Sequence, residues 1–132
     1  MKIKGIEHVA MAVTNIDATL DSLRTLFGAE PSAREMVDSQ NTEACLVPLG
    51  DTNLELISPK GNESLARFLE KRGAGLHHIA VQVEGIESAL AELKAKGVPL
   101  IDEVPRIGAR GHKVAFVHPK ATGGLLVELV EG

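Results

Sequence analysis

Hydrophobic and polar positions alternate at the start of the chain. In IEHVAMAV, residues 6–13, Val9, Met11 and Val13 share one face of an extended strand, and His8, Ala10 and Ala12 share the other. The period then changes. Ile16, Leu20, Leu23 and Phe27 recur at helical spacing and predict a helix with one apolar stripe, capped by Asn15 or Asp17. Strand-like runs follow near 33–37, 43–49 and 53–58.

The same order returns 70 residues later. LHHIAVQV puts Ile79, Val81 and Val83 on one face and His78 and Ala80 on the other, and Ile86, Leu90 and Leu93 repeat the helical stripe up to Gly97. Strands are expected near 100–104, 112–118 and 124–131. NLELI at 53–57 matches LVELV at 126–130, so Glu55 falls on Glu128 at an offset of 73. Two copies of roughly 60 residues are too few for a solenoid and read as a duplicated βαβββ module. Module 1 spans about 5–58 and module 2 about 75–131. A linker helix over about 62–72 joins them, capped by Asn62, with Leu65, Phe68 and Leu69 on its apolar face and Gly73 at its end. The expected fold is α+β in one domain over 1–132.

Strand phase also places the candidate chemistry. His8 and His78 point away from the faces that pack under the helices, as do Glu55 and Glu128. A strand histidine alone is usually structural, and a lone glutamate marks an edge. The repeated pair changes that balance, because a carboxylate in an apolar strand is costly to bury without a partner. Coordination of one divalent cation by His8, Glu55, His78 and Glu128 offsets the cost, and N/O donors suit Mn, Fe, Co, Ni or Zn. His77 falls on the packing face, which gives it a structural or supporting role. His112 and His118 lie near turns and are expected to be exposed.

Composition narrows the remaining classes. The 132 residues are 44% hydrophobic and 24% charged, ordinary for a globular domain. A net charge of −4 and the absence of Trp and Tyr speak against nucleic acid. No apolar run approaches the ~18 residues of a membrane span. The single cysteine, Cys45, and a start that runs directly into a strand fit the cytoplasm. The glycines of GAG and GARG lack the strand-to-helix setting of a phosphate loop.

Three stretches carry a family resemblance: IEHVAMAV, LELISPKGNESLARFLEKRGAGLHHIAVQV and GHKVAFVHPKATGGLLVELVE. They resemble the vicinal oxygen chelate superfamily, which includes glyoxalase I, extradiol dioxygenases and fosfomycin-resistance proteins, and within it the methylmalonyl-CoA epimerases. The resemblance implies a cupped mixed sheet around a metal site. It implies Co, Mn, Ni or Zn held by His8, His78 and Glu128, with the fourth ligand position at Glu55, where some relatives have Gln. It further implies an acyl-CoA substrate and a homodimer. The expected reaction interconverts (R)- and (S)-methylmalonyl-CoA, with Glu128 and Glu55 as the proton-exchanging pair. A glyoxalase-type lyase acting on a thiol hemithioacetal, or a non-catalytic binding or resistance protein, are the alternatives. The family also has a catalytic glutamate on the third strand. Glu43 lies near that place, but on the expected register it is on the wrong face. Lys60, Lys113, Lys120 and Arg110 are candidates for the CoA phosphates.

Overall fold

A computed structural model describes all 132 residues. In chain order the elements are β1 (Lys2–Ala12), α1 (Ile16–Phe27), β2 (Ala33–Val37), β3 (Thr42–Leu49), β4 (Thr52–Pro59), α2 (Glu63–Arg72), β5 (Gly75–Glu84), α3 (Ile86–Ala95), β6 (Arg106–Ile107), β7 (Lys113–Val117) and β8 (Val127–Glu131). The fold is α+β, and βαβββ occurs on either side of one helix. No helix is long and apolar enough to cross a membrane. The chain divides into two compact units, His8–His77 and a second made of Met1–Glu7 with His78–Gly132.

In the unit His8–His77 the strand order is β2-β3-β4-β1, and β1 runs parallel to β4. α1 packs Ile16, Leu20 and Leu23 onto Val13, Cys45, Val47 and Leu56. The Asn15 side chain accepts from the Ala18 N–H at 3.0 Å, so the cap is Asn15 and not Asp17. Gly28, with φ 63, ends the helix, where a side chain would be strained. Phe27 therefore sits in the final turn and is 64% exposed, outside the stripe to which its spacing assigned it. The Asn62 side chain caps α2 by accepting from the Leu65 N–H at 2.9 Å, and its amide donates to the Gln40 carbonyl at 2.8 Å.

In the second unit β1, whose first residues belong here, flanks β5 in the order β1-β5-β8-β7-β6. β5 and β8 are parallel, and β7 is antiparallel to β8. α3 packs Ile86, Ala89 and Leu90 onto Val83, Ala115, Val117 and Leu129. The strand expected over 100–104 does not form. Leu100 makes one isolated bridge to Val117, and β6 is only two residues long. Pro105 stands 70 residues after Glu35, in the middle of β2's counterpart, and has no N–H to give a ladder. Asp102 takes over part of the pairing: its N–H donates to the Phe116 carbonyl at 3.1 Å, and its carboxylate accepts from the Phe116 N–H at 2.8 Å. Arg110 has φ 57, a left-handed conformation that costs a non-glycine residue roughly 1–2 kcal/mol. Its guanidinium donates to Glu7 at 2.7 Å, which ties the 108–112 loop to β1.

Candidate functional site

Each unit places one histidine beside one glutamate by the same device. In the first, the parallel register sets Ala10 opposite Glu55, and His8 lies two residues before Ala10 on the same face. In the second, Ala80 is opposite Glu128, with His78 two residues before it. Alanine at the intervening position leaves the ring room to lean along the strand toward the carboxylate. His8 Nε2 is 3.6 Å from Glu55 Oε1, and His78 Nε2 is 3.3 Å from Glu128 Oε1. All four are buried: His8 is 3%, Glu55 6%, His78 5% and Glu128 4% exposed.

These pairs fit a divalent cation. Bonds of about 2.0–2.2 Å to imidazole nitrogen and carboxylate oxygen set donor separations of roughly 2.9–3.5 Å. The second pair falls inside that range and the first lies just beyond it. Mixed N/O donors of this kind select a transition ion or zinc over calcium or magnesium.

Large apolar side chains close the far side of each glutamate. Leu46 on β3 pairs with Glu55, and Phe116 on β7 pairs with Glu128. The ring of Phe116 meets that of His78 edge-on, with centroids 5.3 Å apart at 84°. Strand phase alone does not find these two residues. The offset of 70 that aligns the histidines sets Leu46 on Phe116, but only the strand register places them beside the glutamates.

Glu43 is in phase with Cys45 and Val47, which pack under α1, whereas Ala44 and Leu46 share the face of Glu55. Its carboxylate lies 3.4 Å from Arg34 Nε, and Arg34 also donates to Asp17 at 2.7 Å. The hydrogen bond from Arg34, aided by its charge, holds the Asp17 carboxyl below the usual range, and the two carboxylates raise Arg34. His77 is half-buried, with its ring edge-on to Phe68 of α2 at 4.8 Å. His112 and His118 are half-buried rather than exposed. The His112 ring packs against Gly132, and His118 Nδ1 accepts from the Lys120 N–H at 3.1 Å. Lys113 is engaged with Glu87 at 2.7 Å on the α3 face, and Arg110 with Glu7. Lys60 and Lys120 are exposed. Burial pushes the Cys45 thiol up, away from reactive thiolate behaviour.

Residues 7–116 match the family model of the Glyoxalase/Bleomycin resistance protein/Dioxygenase superfamily. The mitochondrial methylmalonyl-CoA epimerase of Dictyostelium discoideum is 38% identical over 98% of this chain and 79% of its own. The ethylmalonyl-CoA/methylmalonyl-CoA epimerase of Cereibacter sphaeroides is 39% identical over 96% and 97%. A solved methylmalonyl-CoA epimerase in complex with methylmalonyl-CoA and NH4+ superposes with a TM-score of 0.93 at 29% identity, covering 99% of this chain and 96% of that one. The chain belongs to the Glyoxalase/Bleomycin resistance protein/Dioxygenase superfamily and is similar, within it, to the methylmalonyl-CoA epimerases.

Proposed function

We propose that this protein epimerises methylmalonyl-CoA at C2 and that His8, Glu55, His78 and Glu128 together hold one divalent cation, with Co, Mn, Ni or Zn as the candidates. The observation that carries this reading is the buried His–Glu pair set by the same strand register in each unit, in a chain similar to named epimerases. His8, Glu55 and His78 each offer one donor atom.

The C2 hydrogen lies between a thioester and a carboxylate and is acidic for a carbon acid. When bound, the cation supplies positive charge where negative charge develops on the thioester oxygen. Glu128 takes the C2 proton, and the electron pair left on carbon spreads onto that oxygen. A solvent-derived proton reaches the opposite face through Glu55, which inverts the centre. Glu128 then gives its proton up to solvent, so both carboxylates end as they began and the cycle closes. Leu46 and Phe116, each 9% exposed, flank the two carboxylates with apolar surface. Glu43, tied to Arg34 under α1, takes no part.

The two modules act as one domain over 1–132, in the cytoplasm and as a homodimer. Exposed Ile101, Val104 and Ile107 give the second unit an apolar surface suited to a copy of the chain. A solely ~14 kDa species in sedimentation would count against the dimer.

The direct test is solvent-deuterium exchange at C2 of (R)-methylmalonyl-CoA with the purified, metal-supplemented protein. Deuterium incorporation together with appearance of the (S) form is expected. Absence of both overturns the reading.

A further inference from the structure

We propose that Arg106 is a substrate-recognition residue whose guanidinium takes an anionic oxygen group of the acyl-CoA, either its C2 carboxylate or a CoA phosphate. This inference rests on the acyl-CoA reading above.

Arg106 lies on the same face as the His78–Glu128 pair. Its Cζ is 5.8 Å from the centroid of the Phe116 ring, and that ring is the one that meets His78 edge-on and pairs in register with Glu128. One carboxylate fixes this arrangement. Asp102 Oδ1 is 3.3 Å from Arg106 Nε, while Asp102 Oδ2 accepts from the Phe116 N–H at 2.8 Å. The strand residue beside the glutamate and the cation over it thus share one anchor. The pair is unequally covered: the arginine side chain is 38% exposed and the aspartate 15%.

Charge and asymmetry point the same way. The chain carries a net charge of −4, and a buried glutamate lies in each half-site. Methylmalonyl-CoA is itself a multiple anion, so its approach needs a fixed local cation. Lys113 is turned to α3 and Arg110 to Glu7, whereas Arg106 is placed by the ring that packs on His78. The repeat position of Arg106 is Met36, which has no charge. The ligand is unsymmetrical too, with a carboxylate at its acyl end and phosphates at its CoA end. Arg106 marks the half toward which the phosphates or the carboxylate turn. A planar guanidinium suits either group, because both present two oxygens to its fork.

The test is isothermal titration of the cobalt-loaded protein with three ligands. Malonyl-CoA keeps both anionic groups, malonyl-pantetheine lacks the phosphates, and propionyl-CoA lacks the carboxylate. Arg106→Gln should weaken malonyl-CoA binding about 10–100-fold, the range for a hydrogen-bonded charged group. Arg106→Lys should recover part of the loss. Only one of the two shortened ligands should show the effect: malonyl-pantetheine if the carboxylate is the partner, propionyl-CoA if a phosphate is. The control is Arg24→Gln, which removes the same charge from a surface pair with Glu30 and should change none of the three. Cobalt affinity and thermal midpoint are measured on each variant to show that the protein is folded and loaded. Unchanged binding of all three ligands by folded Arg106→Gln, or an equal loss for all three, overturns the proposal. Failure of the wild type to bind malonyl-CoA sinks the acyl-CoA reading itself, a result distinct from either.

Discussion

The two halves keep the same His–Glu placement and differ in almost everything that supports it. In the first, β2 and β3 are full strands, and α1 is capped by its own Asn15. In the second, β6 has two residues, and α3 is preceded by Gly85, which offers no side-chain cap. The Glu131 carboxylate from β8 instead accepts from the Ile86 N–H at 2.7 Å. Even the backbone contact beside each glutamate is conserved. Ser32 donates to the Leu46 carbonyl at 2.9 Å, and Asp102, 70 residues on, donates to that of Phe116 at 3.1 Å. What is held constant is the parallel register of β1 with β4 and of β5 with β8, because a slip of one residue turns each ligand to the other face. Caps, strand lengths and ion pairs have diverged around that register.

The largest effects should come from the ligands themselves. His8→Ala and His78→Ala should each abolish tight binding of one cation per chain and lower turnover by more than about 10²-fold, read by metal analysis after gel filtration. His77→Ala, adjacent in sequence but packed on Phe68, should keep its metal. Equal loss in all three would mean that strand phase does not sort ligands from packing residues.

Next come the glutamates, where the halves need not be equal. Glu128→Gln should stay down by roughly 10²-fold or more at saturating metal if it moves the proton, since a positioned acid–base group contributes about that much. Glu55→Gln should lose a comparable factor if the pair works symmetrically. Near-normal turnover of Glu55→Gln would confine proton exchange to one half.

Much of this comparison can be read in the sequence, for a physical reason. Alternation along β1 and β5, the helical stripes and the caps Asn15 and Asn62 are local features, so spacing alone reveals them. Three features were not local. The 100–104 strand fails because of Pro105 and because Asp102 replaces ladder bonds with side-chain ones. Phe116 and Arg106 join the half-site only through the β7–β8 register and a loop contact. His112 and His118 look like turn residues, yet one packs on the final glycine and the other caps a backbone N–H.

At Asp102 the second half adds a side-chain bond to the backbone one. Asp102→Ala leaves the part-buried Phe116 N–H without its acceptor and should cost about 1–3 kcal/mol in urea unfolding. Ser32→Ala, which keeps its backbone bond to Leu46, should cost much less.

The smallest effect is electrostatic. Asp17 with Arg34, and Glu87 with Lys113, occupy equivalent positions in the repeat for their acidic members. The hydrogen bonds and charges of the basic partners lower both carboxyls. Folded values depressed in this way add stability above the unfolded carboxylate range of about 4, which is lost as pH falls through the folded value. Asp17→Asn and Glu87→Gln should therefore be slightly less stable than wild type at pH 7 and converge with it in acid. The alkaline limbs should differ. Glu87 raises Lys113, so that pair's contribution is full below the free lysine value of about 10.4 and is lost as pH climbs through the folded one. The arginine of the first half keeps its charge throughout. Lys113→Met should flatten the alkaline fall in urea midpoint, and Asp17→Asn should leave it alone.

The assignment of Met1–Glu7 to the same compact unit as His78–Gly132 has a consequence for synthesis. Residues 1–7 are made early and find their partners late. Residues 8–77 carry the contacts of their own unit, whereas residues 1–7, apolar at Ile3 and Ile6, wait until Arg110 arrives to meet Glu7. A nascent chain arrested before residue 110 should accordingly be cut within residues 1–7 faster than within residues 8–77.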